Sequence, residues 1–451
     1  AEIYSLLSEY PSIISVREEV KQAGASMGRR KFITGAAALS AFLIVPRYVL
    51  GGKGFVAPSD RINLGFIGSG RQSLTLQKAF LPLADGRIVA ACDVYQSKAG
   101  NFSRLVNEYY AKQQDQSAYK GCKTYHRFTE LLDNKDIDAV VIATPDHWHA
   151  AMAVRAAAAG KDIYCEKPLS LTVAEGRAMV NAVAKHKRVF QTGSMQRSRP
   201  EFRQTVELIR NGYIGEIKNV KVSIGGPPVA YNLPEEPLPA DLDWTLWLGP
   251  NEYVHYNHQL DPVIGDSVWG RWRDFKGLGG GDITDWGAHM FDIVQWALDM
   301  DRSGPVSFTP PDGKEVQHMT MRYSNGIVMT HENFGKQHAI QFNGTEGKIE
   351  IQRNKLVTMP ERLQEQVIGN NEKQVYHSSN HYQDFLQAVK GRSVPVADVE
   401  TGHRSATVCN LVNIAYGLNM PLQWNPQQEK ITNNATANHL LSRKMKREWA
   451  V

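Results

Sequence analysis

The chain has 451 residues, 42% hydrophobic and 22% charged, an ordinary globular composition with length for two domains. Its 51 Lys and Arg against 46 Asp and Glu leave a formal charge of +5, and part of that excess sits at Arg29–Lys31 and Arg443–Arg447; without a broad basic stripe, a nucleic-acid partner is excluded. The cysteines, Cys92, Cys122, Cys165 and Cys409, show neither C-x-x-C nor metal-ligand spacing, which excludes a disulfide framework and a zinc site; Cys92 and Cys165 lie in apolar runs and read as buried core thiols.

In chain order, the first feature is MGRRKFITGAAALSAFLIVPRYVLGG from Met27. Paired arginines, then a weakly apolar run, then Pro46 and Gly51-Gly52 have the shape of a twin-arginine export signal. The alternative is a short buried helix with a basic cap; a transmembrane span is disfavoured, since the run before Pro46 falls short of the roughly 20 residues such a span needs. The reading predicts engagement with the twin-arginine export machinery and a periplasmic destination. With no clear A-x-A site, retention at the membrane by an uncleaved signal stays open. Met27 itself suits a start, with residues 1–26 upstream of it. Twin-arginine substrates cross folded, which suits a tightly held cofactor loaded beforehand.

Next comes a buried-strand run, RINLGFI at 61–67, followed by Gly68-Ser69-Gly70-Arg71-Gln72-Ser73 and a helix-like SLTLQKAF. This is G-x-G-x-x-G with Ser73 in the last place. Gly68 permits the tight turn, Gly70 the close approach of backbone to pyrophosphate, and the helix N-terminus offers its N–H groups to the anion. The strand RIVAACD ends at Asp93, whose carboxylate suits ribose hydroxyls and repels a 2′-phosphate, so NAD is expected over NADP. The alternation continues with a helix at 129–134, IDAVVIATP, HAAMAVRAAAAG, DIYCEKP, a helix from Thr172 and RVFQTGS. Strands alternating with helices predict a doubly wound parallel sheet of the Rossmann kind over 58–195, after an N-terminal segment over 1–57. Gly68, Asp93, Thr144-Pro145 and Glu166-Lys167-Pro168 all fall at strand carboxyl ends, where such sheets bind ligands. Residues 196–451 carry the strand-like runs KNVKVSI, HMTMRY, GIVMTHENF and KIEIQR without regular helix interleaving.

These residues resemble the Gfo/Idh/MocA oxidoreductases. The matching segments are the G-x-G loop, ATPDHWH at 143–149, EKP at 166–168, GGGDITDWGAH at 279–289 and GTEGKIEI at 344–351; the tail from HYQDFLQAVKG through PLQWNP to Arg447-Glu448-Trp449 resembles the exported, twin-arginine-bearing subgroup. The resemblance implies an α/β second domain on a large open, mostly antiparallel sheet, a carbohydrate substrate, and a homodimer or tetramer. It also implies that the Lys167 ammonium contacts the reacting hydroxyl and stabilises alkoxide charge, with Glu166 available to orient it.

Asp285 and His289 are four apart in a helix-like segment after three glycines, a spacing that stacks both on one face. A histidine near its ordinary pKa exchanges a proton at neutral pH, so His289 is expected as general acid/base and Asp285 as its partner in positioning substrate. Whether Lys167 or His289 takes the proton is open. The competing readings are a metal site from Asp282, Asp285, His289 and Asp292, disfavoured because all come from one element, and a structural His289. Ser69, Arg71, Gln72, Thr144, Pro145, His147, Glu166 and Gln196 are further candidate cofactor contacts. Arg197, Trp272 and Trp286 are candidate sugar contacts, and His149 is either near the cofactor or a cap on the next helix.

An exported enzyme has no soluble NAD pool, so the cofactor must be reoxidised in place. Oxidation of a sugar, glycoside or polyol with a second acceptor meets this need. So does redox-neutral NAD-dependent glycoside cleavage, but by resemblance the glycosidases often lack the EKP lysine. A non-catalytic cofactor-binding sensor predicts a damaged site, whereas Lys167, Asp285 and His289 are all present.

Overall fold

The structure, a computed structural model, describes residues 60–113, 120–266 and 268–451. The export-signal reading and the segment 1–57 lie outside the described residues. No helix among the described residues is long and apolar enough to cross a membrane.

Six parallel strands, β1 (Ile62–Ile67), β2 (Gly86–Cys92), β3 (Lys123–Tyr125), β4 (Ala139–Ile142), β5 (Asp162–Cys165) and β6 (Phe190–Thr192), form a sheet in the order β3-β2-β1-β4-β5-β6. Crossovers come from α1 (Arg71–Phe80), α2 (Gln96–Gln113), α3 (Phe128–Asp133), α4 (His149–Ala158) and α5 (Val173–His186). The central strands β1, β4 and β5 are near-continuous buried runs because helices cover both faces of the sheet. Strands β4 and β5 are buried at every residue. Helix α5 starts where Thr172 accepts from the Glu175 amide while its hydroxyl bonds the Glu175 carboxylate, a Thr-x-x-Glu capping box. Two elements extend the expected alternation. Helix α2 buries Ala99, Phe102, Val106 and Tyr110 along one stripe, and β3 forms the sheet edge.

The second half holds a nine-stranded sheet. Its strands are β7 (Ile217–Ser223), β8 (Ser307–Thr309), β9 (Met319–Arg322), β10 (Val328–His331), β11 (Ala339–Gly344), β12 (Lys348–Gln352), β13 (Lys355–Met359), β14 (Leu422–Asn425) and β15 (Lys430–Ile431), ordered β13-β12-β11-β7-β10-β9-β8-β14-β15. All neighbours are antiparallel except β7 and β10. Alternate residues turn inward, as Ile349 and Ile351 do on β12. They pack with α6 (Pro200–Arg210), α9 (Gly287–Ala297) and α11 (Val399–Leu418) into one core. The short helices α7 (Trp244–Leu248) and α8 (Gly281–Asp285) and helix α10 (His381–Gly391) complete the set.

A boundary at 195 separates the two sheets but not the two cores. Phe385, Leu386 and Val389 of α10 share a buried cluster with Phe66, Phe80 and Tyr164 of the parallel-sheet domain. Farther on, Trp449 meets Trp148 at 4.8 Å and Phe128 at 5.6 Å between ring centroids.

Candidate active site

A cavity of about 1120 Å³ opens at the carboxyl ends of β1, β2, β4 and β5 and is walled on its far side by residues of the second half. Its floor is the fingerprint loop. Gly68 sits at φ 89° with its amide donating to Cys92 O at 2.9 Å, and a Cβ there would lie 2.6 Å from Ala143 O. At Gly70 the space a Cβ would enter is open to the cavity, and no side chain caps helix α1 behind it. Uncapped amides at a helix start beside open space form an anion cradle. Asp93 stands on the same wall, accepting from Ser69 N at 2.6 Å and Tyr95 N at 2.9 Å. Burial, only partly offset by Lys98, pushes its carboxyl up to about 6. These residues fit a dinucleotide: a pyrophosphate cradle at Gly68–Gln72 and a carboxylate facing the adenosine end. Arg71, Gln72, Thr144 and Pro145 also line the cavity.

At the other end, Lys167 Nζ donates to Asp285 Oδ1 at 2.5 Å and to Asp285 O at 2.8 Å. Arg273 Nε lies 3.6 Å from the same carboxylate. Burial pushes the Asp285 carboxyl up, but the Lys167 ammonium and the Arg273 guanidinium outweigh it and hold the group well below the usual carboxylate range. Glu166 plays a different part from the one expected: it accepts from Gln72 Nε2 at 3.0 Å, tying the EKP loop to the fingerprint loop, while Asp285 orients the lysine.

Asp285 and His289 do not share one regular helix. The chain breaks at Trp286, so Asp285 closes α8 and His289 sits in the first turn of α9. Both side chains still line the cavity with Lys167. His289 Nε2 accepts from Arg353 Nη2 at 3.0 Å, which puts the ring proton on Nδ1, a buried atom with no protein partner. Burial, with Lys167 and Arg353 adding to it, drives the imidazole pKa well below its ordinary value. The expectation of an ordinary histidine titrating near neutrality is therefore corrected to a neutral ring held as a donor. Asp282 accepts from Gly225 N at 2.7 Å and Asp292 pairs with Arg197 at 2.8 Å, so the four residues of the metal reading go to separate partners.

Four expected contacts lie off the cavity wall. His147 has its ring nitrogens 2.9 Å from Trp247 O and 3.3 Å from Leu278 O; burial holds its pKa down to about 3, and the neutral ring donates to one of the two. Ser69 is fully buried and holds Asp93 through its backbone amide. Gln196 is buried with neither amide atom partnered. Arg197 is fully buried between Asp292 and Asp301 and stacks on Trp296, so it is a core ion pair and not a sugar contact. His149 caps nothing; its ring nitrogens lie 2.8 Å from Pro168 O and 3.1 Å from Thr144 O, and the neutral ring donates to one of these two strand-end loops.

Trp272 and Trp286 reach the cavity, but both already carry protein partners. Arg273 lies 4.1 Å over Trp272. His338 stacks on Trp286 at 3.6 Å with 4° between planes, and Arg353 lies 4.5 Å from the same ring. The side chains that sequence reasoning missed are Arg273, Arg353, His338 and Asp146. Burial raises the Asp146 carboxyl well above its ordinary value despite Arg273. For Arg353 the signal was the Arg-Asn pair between two strand runs, which marks a hairpin without saying where its tip points.

Residues 62–194 match the family model described as oxidoreductase family, NAD-binding Rossmann fold, and residues 227–451 match its C-terminal alpha/beta domain. The chain is 33% identical over 174 residues to an inositol 2-dehydrogenase of Rhizobium meliloti, covering 38% of this chain and 48% of that one, about half its length. A glycosyl hydrolase family 109 protein of Stenotrophomonas maltophilia is 26% identical over 325 residues, 68% of this chain and 69% of that protein. The fold is similar to that of the WlbA dehydrogenase of Bordetella pertussis in complex with NADH and UDP-GlcNAcA, with a TM-score of 0.56, 16% identity, and 81% of this chain and 99% of that one covered. With both of its domains matched in order, the chain belongs to the Gfo/Idh/MocA family of oxidoreductases and begins its described fold with an NAD-binding Rossmann domain.

Proposed function

We propose that the chain oxidises a secondary alcohol of a sugar, glycoside or polyol using an NAD that stays bound through turnover. The observation that carries the proposal is the Lys167–Asp285 contact at 2.5 Å, in the same cavity as the Gly68–Gly70 cradle. NAD, when bound, supplies the hydride acceptor. An ammonium has three N–H donors; Asp285 takes two from Lys167, which leaves one for the alcohol oxygen. His289 lines the same cavity, and its Nδ1–H is a buried donor without a protein partner. A donor fixed by protein contacts, as Lys167 is by Asp285, stabilises charge that builds on that oxygen. The only acceptor nitrogen of His289 faces Arg353, so the alcohol proton goes to Lys167 as the neutral amine, after one of its own N–H protons has left; as the ammonium it donates to the oxygen and accepts nothing.

The paired Arg29-Arg30 ahead of an apolar run supports export of the folded, cofactor-loaded chain to the periplasm. Denaturing the purified protein and identifying the released nucleotide by mass spectrometry tests the cofactor: NAD is expected, and release of no dinucleotide defeats the proposal. Adding sugars and polyols to the holoenzyme is expected to produce the absorbance of reduced nicotinamide. A second reading, redox-neutral glycoside cleavage, is favoured by the family 109 likeness, which spans more of the chain than the dehydrogenase match does. Phenol release from aryl glycosides without an added acceptor selects that reading.

A further inference from the structure

Arg353, on the cavity wall, makes no ion pair among the described residues. It occupies the tip of the β12–β13 hairpin, where Gln352 pairs with Lys355 and Asn354 turns with φ 63°. The second sheet thereby delivers a guanidinium to the cavity wall. Among the described residues the group donates one hydrogen bond, from Nη2 to the neutral His289 ring at 3.0 Å, and its Nε is buried without a partner. The carboxylates that act on it electrostatically are Asp285 and Glu166. Both are engaged elsewhere, Asp285 by Lys167 and Arg273, Glu166 by Gln72. Arg199, also within electrostatic reach, is a like charge paired to Glu201.

Withdrawing a guanidinium from water without an anion is costly. Its planar fork of five donors matches carboxylate and phosphate oxygens, and only one donor is spent here. We infer that the substrate is a sugar or polyol that carries an oxyanion, as a sugar acid or a phosphate ester does, and that Arg353 binds this group next to Lys167, Asp285 and His289. The inference rests on the proposed alcohol oxidation at the same site and narrows its substrate class.

The test uses the holoenzyme and a panel of uronates, aldonates and sugar phosphates, each beside its neutral parent. Binding is followed by calorimetry and, in parallel, by reduction of the bound nicotinamide. At least one anionic member is expected to bind about 10- to 100-fold tighter than its parent. Arg353→Gln is expected to remove that preference and Arg353→Lys to restore part of it, with nucleotide content and melting temperature as controls on folding. Whether the preferred members are acids or phosphates identifies the oxyanion. A panel in which no anionic member outbinds its parent overturns the inference, as does a preference that survives Arg353→Gln. Anion-selective binding that depends on Arg353 but never reduces the nicotinamide upholds the inference and removes the oxidoreductase reading instead.

Discussion

Gly68 and Gly70 hold equivalent places in the fingerprint but differ in what a methyl group would meet. At Gly68 the backbone is at φ 89° and a Cβ would strike Ala143 O, whereas at Gly70 it would enter open space. Gly68→Ala is therefore expected to cost the apoprotein about 1–3 kcal/mol. Gly70→Ala should leave apoprotein unfolding within about 0.5 kcal/mol of the parent yet abolish retention of NAD; denaturant titration and nucleotide analysis of both variants decide the matter. Lys167→Met should lower turnover by about 10²-fold or more with NAD still bound, and undiminished activity removes the lysine from the chemistry. The residue types at 68, 70, 93, 167, 285 and 289 were legible because each is tied to a short motif. The protonation of His289 was not, because it depends on Arg353 from a distant hairpin and on burial that no local pattern reveals.

Three further imidazoles titrate together. Burial is the main cause of the lowered pKa values of His147, His149 and His381, at about 3, 4 and 4. Below about 6.5 the unfolded chain binds protons that the folded chain refuses, so stability is complete above that pH and falls as pH drops toward 4. Unfolding free energy measured across this range should show that slope, and His149→Asn should flatten it; a pH-independent stability from 7 to about 4.5 contradicts the assignment.

At the scale of elements, α10 is the one whose placement departs most from its place in the chain. Its Phe385 is fully buried among Phe80, Tyr164 and the rest of the parallel-sheet core. Phe385→Ala should cost about 3–5 kcal/mol, and the loss should appear in the nucleotide domain, as weaker NAD retention, as well as in global unfolding. Most strands and helices of the first half were legible from alternation, but α2 and β3 were not, since the segment between Asp93 and Thr129 carries no strand-like run. The break between α8 and α9 was not, because Trp286 is a permissible helix residue and the interruption depends on the packing around it. Both residues still line the same cavity, but Asp285 bonds Lys167 and His289 bonds Arg353, and no hydrogen bond joins the two.

At the scale of the whole molecule, the cavity is a joint product of two sheets that the sequence presents one after the other. Their class was readable in advance, parallel against mostly antiparallel, because helix interleaving stops after the first half. Which loops of the second half would reach the first was not readable, since loop direction follows from tertiary packing. A helix-to-helix ion network also joins the halves: Arg177 of α5 bonds Glu400 of α11 and Glu429, and Glu429 bonds His403 at 2.7 Å. Burial alone would raise the Glu429 carboxyl, but His403 and Arg177 bring it down to about 2. Its contribution is present above about pH 4.5 and lost as pH falls toward 2, so Glu429→Gln should shift the acid-unfolding midpoint upward.

The tryptophan at 449 and the phenylalanine at 385 plug the nucleotide domain from the far side of the chain. A ribosome therefore releases the fingerprint loop long before the pieces that finish its hydrophobic interior, and vectorial synthesis cannot complete this domain first. Until those late segments arrive, the nascent half-protein is expected to leave these apolar sockets unfilled, which predicts that NAD capture comes late in folding.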